Sequence, residues 1–183
     1  MKKNILIMAI CAIVAFSLTS CEEEEKTRTD LLTQKKGWEL LTATSSPAYK
    51  NSDGEENENL FKVYFEECEL DDILVFNLDK SSFMKQGKNV CEGDGKDISL
   101  GNWRFSPNEE VLEFHLPYFE DARGNFALLE ARILVLNDKT LQIRMPIKFT
   151  DDPEVKGGIM NKRGMKGTKV DPEYQWTFTY KIP

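Results

Sequence analysis

Residues 174–182 read YQWTFTYKI and show the clearest strand pattern in the sequence. Apolar and polar residues alternate strictly along it, so the residues at even positions from Tyr174 to Ile182 share one apolar face. Period-two alternation with one apolar face is typical of an antiparallel strand that is buried on one side. Residues 141–149, LQIRMPIKF, alternate in the same way. Pro146 lacks the donor of a ladder hydrogen bond and therefore predicts a bulge or a sheet edge in this second strand.

The rest of the chain carries shorter strand signals. Alternation or short apolar runs predict further strands at residues 38–44, 73–77, 82–86, 100–105, 111–116 and 126–136. Mostly short polar turns separate these segments, which favours an all-β, antiparallel barrel or sandwich of about eight strands. Thr29 or Asp30 is suited to cap a short helix from Leu31 to Lys36. Residues 60–67 fit both a helical and a strand pattern, so their structure stays open.

Residues 1–20 have the parts of an export signal. Lys2 and Lys3 are basic, residues 5–16 are an unbroken apolar run, and the small or polar residues Ser17, Thr19 and Ser20 follow. The apolar run has 12 residues, whereas a helix that spans a membrane needs roughly 20. We therefore expect residues 1–20 to be a signal peptide that is removed, with a retained anchor helix as the alternative.

A cysteine, Cys21, directly follows this signal. The sequence Leu18-Thr19-Ser20-Cys21 resembles the lipobox of bacterial lipoproteins. This resemblance implies that the Cys21 thiol accepts a diacylglyceryl group and that cleavage then makes Cys21 the mature N-terminus. Several acyl chains on one residue give stable membrane anchoring, whereas a single chain is marginal. The alternative is an ordinary signal peptide with a chance cysteine.

Residues 21–29 are expected to form an acidic tether behind the lipid. Four consecutive glutamates, Glu22 to Glu25, repel one another and remain solvated. Acidic runs directly after the lipidated cysteine resemble the surface-export signals of some Gram-negative lipoproteins, and a plain spacer is the alternative. We expect an exported outer-membrane lipoprotein, facing either the periplasm or the cell surface.

Charge and cysteine content narrow the function classes for the remaining domain, residues 30–183. The signal contains two lysines and no acids, so its removal moves the net charge from −7 to −9. Such an acidic chain is a poor candidate for nucleic-acid binding, which depends on lysine and arginine neutralising phosphates. After cleavage of Cys11 and lipidation of Cys21, the cysteines Cys68 and Cys91 remain. In an exported protein the simplest interpretation is a disulfide. A metal or redox pair is the alternative, but it lacks C-x-x-C spacing and a nearby histidine.

A series of short motifs resembles one known domain family. The motifs are KGWEL at 36–40, CELDDI at 68–73, FNLD at 76–79, Gly87 and Cys91, GNWRF at 101–105, and WTFTY at 176–180. In this order they resemble the small lipocalin-like domains of bacterial lipoproteins, over about residues 30–183, with the cysteines where that family has its pair. The resemblance implies an eight-stranded up-and-down barrel with a short N-terminal helix at one end and a helical segment in the 60s. The family usually has glycine at the position of Lys80, so the turn there is expected to differ.

The sequence offers few candidates for catalysis or metal binding. Asp71 and Asp72 could form a carboxylate pair, but we expect them to terminate the preceding element and start the next strand. His115, the only histidine, is expected on a polar surface without a nucleophile beside it. The acidic loops 53–58 and 92–97 lack the spaced ligand pattern of a calcium loop. We therefore predict no catalytic, cofactor or metal residues, and no enzyme.

The barrel interior is the remaining candidate site. An eight-stranded barrel is just wide enough to be filled by its own side chains or to hold one small ligand. The inward row of the last strand supplies the predicted ligand-lining residues Tyr174, Trp176, Phe178 and Tyr180, which suit both cases.

Two functions follow from these two cases. The first is a lipid-anchored, lipocalin-like protein at the outer membrane or cell surface that binds a small apolar ligand. The alternative is a non-catalytic structural or interaction lipoprotein with a filled barrel that contacts a protein partner. The basic, glycine-rich loop 156–169 is a lid, an anionic-surface patch or a plain solvated loop.

Overall fold

The computed structural model describes residues 25–51, 53–91, 97–120, 125–147, 160–161 and 174–183. Within these ranges the helices are α1 (Arg28–Leu32) and α2 (Leu60–Val63), and a 3₁₀ turn spans Glu67–Glu69. The strands are β1 (Trp38–Lys50), β2 (Glu56–Asn59), β3 (Ile73–Phe76), β4 (Ser81–Lys85), β5 (Asp97–Asn102), β6 (Arg104–Phe105), β7 (Val111–Glu120), β8 (Phe126–Leu136), β9 (Thr140–Ile147), β10 (Met160–Asn161) and β11 (Tyr174–Lys181). The export signal and most of the basic loop 156–169 lie outside the described residues.

The strands form one antiparallel sheet that nearly closes into a barrel. Its order is β10-β7-β8-β9-β11-β1-β3-β4-β5, with β2 on β1 and β6 on β7. Because β6 follows β5 after a single residue and pairs with β7, the two ends of the sheet meet. The predicted all-β, antiparallel barrel is confirmed.

The predicted number of eight strands is too low. Eleven strands are present in the described part of the chain, because short β2 and β10 join the sheet and the expected strand 100–105 is divided. Gly101 has a φ of +91° and lies where the β4–β5 register shifts. Trp103 then separates β5 from β6. Its backbone N–H donates to the carbonyl of Lys80 at 2.8 Å and does not take part in the β6–β7 pairing.

The two regular patterns at 141–149 and 174–182 are confirmed as strands β9 and β11, which pair along their whole described length. Pro146 lies beyond the last described β8–β9 pair, Arg132 with Arg144, so it stands at a local sheet edge as predicted. Residues 60–67 begin with a helix and not a strand. Asn59 caps this helix α2, since its side-chain oxygen accepts a hydrogen bond from Phe61 N at 3.0 Å.

The predicted helix from Leu31 to Lys36, capped by Thr29 or Asp30, is wrong in position. Helix α1 spans Arg28–Leu32, and Thr27 is its N-cap. Thr27 Oγ1 accepts from Asp30 N at 3.1 Å, and the Asp30 carboxylate accepts from Thr27 N at 3.0 Å. The hydrogen bond from the Thr27 hydroxyl is the largest cause that lowers the pKa of Asp30. This reciprocal capping box starts the helix earlier because it satisfies two N–H groups at once.

Helix α1 covers one end of the barrel. Trp38 is buried, and its indole N–H donates to the carbonyl of Leu32, also buried, at 2.8 Å. The strand pairings show that β1 begins and β11 ends at this end of the barrel. The turns 77–80, 106–110 and 137–139 lie at the same end. We call it the α1 end. The opposite end, with α2 and the 3₁₀ turn, is the α2 end.

The connection between α1 and β1 depends on Gly37. Its φ is +70°, a conformation that favours glycine. A Cβ at this position would lie 2.6 Å from Ile73 Cγ2 and 3.0 Å from the carbonyl oxygen of Leu74. The absence of a side chain therefore lets β3 approach the start of β1 closely.

We predict that Gly37→Ala lowers the free energy of unfolding by about 2–4 kcal/mol, combining the strain of a left-handed residue with overpacking. Gly54→Ala is the matched control, since Gly54 has a φ of +87° but its nearest atom would be Lys50 Cε at 3.8 Å. The Gly54→Ala variant should lose only the part of the free energy of unfolding that comes from backbone strain, about 1 kcal/mol. Chemical denaturation of both variants measures the difference, and equal losses would contradict the steric argument.

Candidate functional site

The predicted ligand-lining row lies inside the barrel. Tyr174, Trp176, Phe178 and Tyr180 are all buried, while the residues between them on β11 are half-buried. Burial raises the pKa of Tyr180 well above its ordinary value of 10.0, so this phenol is neutral in the folded protein. The inward orientation agrees with the alternation in the sequence. The role of these residues as a ligand lining stays a prediction.

The segment of helix α2 crosses the interior in front of this row. The Tyr64 ring lies 4.6 Å from the Trp176 ring and 6.0 Å from the Phe119 ring, measured between centroids. Its hydroxyl donates to the carbonyl of Tyr118 at 3.1 Å. The Tyr49 ring packs edge-on against both Tyr64 at 5.6 Å and Trp176 at 5.5 Å. Trp176 is thus in contact with other rings on several sides.

Aromatic rings also pack against one another further along the interior. The Phe65 ring lies 6.1 Å from the Phe178 ring. Phe76 packs against Trp103 at 5.8 Å and against Phe114 at 5.9 Å between ring centroids. The described inward side chains therefore form one packed cluster from the α1 end to the α2 end. Sequence reasoning missed the part played by Tyr64 and Phe65, although the helical spacing of Leu60 and Tyr64 was visible.

A disulfide cross-links two segments at the α2 end. Cys68 and Cys91 are bonded, with their Cα atoms 5.2 Å apart, so the predicted pairing is present in the structure. Glu66 lies close to the two sulfurs, with its carboxylate 3.9 Å from Cys68 Sγ. Sulfurs joined in a disulfide are not thiolates and do not ligate metal. The oxidised pair therefore acts as a cross-link.

The Asp71-Asp72 pair holds the segment that leads to Cys91. The Asp72 carboxylate accepts a hydrogen bond from Gly87 N at 3.0 Å. Asp71 Oδ2 accepts from Lys88 N at 2.8 Å and from Asn89 N at 3.2 Å. The pair follows the 3₁₀ turn and immediately precedes β3, as expected, but its carboxylates also position the neighbouring loop.

Gly87 allows this approach because a Cβ there would overlap the Asp71 carboxyl group. The Asp71-Asp72 pair, Gly87 and the disulfide thus act on the same two segments, 66–72 and 87–91. This explains in physical terms why these motifs occur together in the sequence. Together they clamp these two segments against each other.

An open depression of about 240 Å³ lies on the outer surface of the barrel. It is lined by Asn102, Trp103, Arg104, Glu113 and Leu128. The Arg104 guanidinium donates to Glu113 Oε2 at 2.6 Å, and this hydrogen bond is the largest cause that raises the pKa of Arg104. The two charged groups therefore pair with each other in the lining of the depression.

His115 lies beside this depression on β7 and is half-buried, not fully on the surface as predicted. Its Nδ1 lies 2.9 Å from the carbonyl oxygen of Phe126, within hydrogen-bonding distance. The contact ties the ring to the start of β8 and gives it a structural role.

No protein-family model, curated protein or solved structure matches this chain. The resemblances to lipocalin-like domains and to a lipobox therefore rest on the motifs quoted above and stay predictions. Among the residues that the structure describes, neither helix has the length and apolar character needed to cross a membrane.

We predict that reduction of the Cys68–Cys91 bond lowers the free energy of unfolding by roughly 3 kcal/mol, because it removes a constraint on the unfolded chain. The residues are 23 positions apart in sequence. Denaturation with and without reductant measures the loss. The double variant Cys68→Ala, Cys91→Ala is the control and should not respond to reductant; a native protein whose stability ignores reductant would refute the prediction.

Proposed function

We propose that this chain is a lipid-anchored, non-catalytic interaction protein of the outer membrane, which contacts a protein partner through its outer surface. One observation carries the proposal, namely the packing of rings throughout the described interior. Trp176, at the centre of the predicted ligand row, has the rings of Tyr49, Tyr64, Phe119 and Phe178 at centroid distances between 4.6 and 6.1 Å. A small β-barrel either holds a ligand or is filled by its own side chains, and this packing favours the second case.

The carrier of a small apolar ligand is the weaker proposal for the same reason. To enter the described interior, a ligand would have to displace the α2 segment with Tyr64 and Phe65. These rings contact residues on β1, β7 and β11, so their displacement would open many contacts at once. Packed cores resist such changes because each removed contact leaves a void.

The positions of the groups with a shifted pKa support a non-catalytic role. The described groups with a shifted pKa lie apart: Asp30 in the α1 cap, Asp79 in the β3–β4 turn, Arg104 on the outer surface, and Tyr180 in the core. A catalytic site brings such groups together around a reacting atom.

Native mass spectrometry of the mature protein, extracted from membranes in mild detergent, tests the filled barrel. We expect the mass of the acylated protein alone, both before and after incubation with a lipid extract. Tyr64→Ala is the informative variant, because it opens apolar space beside Trp176 that a small apolar probe such as benzene could enter. A discrete additional mass on the wild type, removed by organic extraction, would instead establish the carrier.

The lipid anchor is tested separately at Cys21. We expect an acylated N-terminal peptide that begins at Cys21, and partition of the wild-type protein into the membrane fraction. Cys21→Ser should abolish both, whereas Cys11→Ser, a change inside the export signal, should leave both intact. An unmodified Cys21 would refute the anchor and leave the filled barrel to be judged on its own test.

A further inference from the structure

Several large apolar side chains are exposed at the α1 end, and those of Leu78, Leu134 and Val135 lie in or next to its turns. Leu78 lies in the β3–β4 turn and is 69% exposed, while Leu134 and Val135 are 38% and 37% exposed close to the β8–β9 turn. A register shift between Ile133 and Val135 marks a bulge in β8. A bulge breaks the alternation of faces, which accounts for two consecutive apolar residues both being exposed there.

The position of the tether indicates what covers these side chains. Thr27, the cap of α1, follows Cys21 by only six positions in the sequence. Even fully extended, the chain between these two residues spans at most about 20 Å. Helix α1 is fixed to the barrel through the bond between Trp38 and Leu32, so a lipid on Cys21 keeps the α1 end close to the bilayer.

We propose that the α1 end docks onto the bilayer surface, with Leu78, Leu134 and Val135 inserted at the boundary between headgroups and acyl chains. The proposal rests on the lipid anchor proposed above. The anchor supplies the membrane affinity, since membrane affinity scales with buried apolar area and three side chains bury little. The apolar side chains therefore set the orientation of the barrel and not its attachment.

The charges at the α1 end fit shallow docking. Lys36 and Lys139 are exposed at this end, beside the exposed acids Glu109, Glu110 and Asp138. Long lysine side chains reach headgroups while their stems stay in apolar surroundings. Hydrogen bonds from Thr27 and Ser81 keep Asp30 and Asp79 ionised by lowering their pKa values. Ionised carboxylates are costly in hydrocarbon, so these caps remain at headgroup level and limit the depth of insertion.

Site-specific fluorescence on the full acylated protein in phosphatidylcholine vesicles tests the orientation. Leu134→Cys is labelled with an environment-sensitive dye, and Leu128→Cys is its matched control. Leu128 is a leucine of the same strand, is 53% exposed, and lies about 20 Å away along β8. Because Cys68 and Cys91 are bonded, the introduced thiol is the one that reacts. We expect a blue shift and quenching by brominated acyl chains at 134, and neither at 128.

Leu78→Cys provides a second, independent position on a different turn and should respond like 134. Val90→Cys, exposed at the α2 end, should stay in water. If Cys21 is acylated but the dyes at positions 134 and 78 give the same spectrum and quenching as the dye at position 128, the docking proposal is wrong while the anchor stands. A response at Val90 alone would also overturn it, because the barrel would then be inverted. An unmodified Cys21 would overturn the docking together with the anchor.

Discussion

The contact between the rings of Tyr64 and Trp176, 4.6 Å apart, joins the α2 segment to the last strand, and the rest of the interior is arranged around it. Because a barrel wall has one apolar face, the space inside must be filled or the wall loses the burial that stabilises it. Tyr64 comes from a connecting segment and not from the wall. Its position inside means that the chain between β2 and β3 acts as part of the core, and the long β1 and β7 supply the Tyr49 and Phe119 rings that complete the cluster.

Glycine and aspartate positions let the two ends of the barrel close over this core. At the α1 end, Gly37 allows β3 to lie against the start of β1, and the Trp38 indole then reaches Leu32. At the α2 end, Gly87 brings its loop against Asp71, and the disulfide holds the same two segments. Both closures need a backbone approach that a side chain would prevent. Packing therefore explains the motifs around these glycines.

The sequence predicted what depends on local burial and failed where distant contacts decide. Strict alternation identified β9 and β11 because each has one buried face along its whole length. The ambiguous segment 60–67 depended on rings of strands that are distant in sequence, which no local pattern reports. The division of the strand at 100–105 depends on a distant contact too, because the backbone N–H of Trp103 bonds to the β3–β4 turn. The α1 boundary is an exception: the reciprocal cap of Thr27 and Asp30 is a local signal, and the prediction placed the cap two or three residues too late.

The turn at Lys80 shows how a departure from a motif is accommodated. Lys80 has a φ of +72°, in the region that favours the glycine usual at this position in the family it resembles. The turn thus keeps the left-handed conformation at a cost that a lysine tolerates, and the ammonium group lies 4.0 Å from the centre of the Trp103 ring. This cation–π contact offsets part of the strain.

In the proposed arrangement, a filled barrel that is held at one end has few surfaces left for recognition. If the α1 end faces the bilayer, the interior and one end of the barrel are both occupied, and a partner has access only to the barrel walls and the α2 end. On the described wall, Arg104 and Glu113 neutralise each other, and Leu128 adds an apolar side chain beside them. At the α2 end the disulfide and the Asp71-Asp72 pair restrict the motion of two neighbouring segments. Rigid segments lose little entropy on binding, so this clamped end is the better suited of the two surfaces to present a fixed shape to a protein partner.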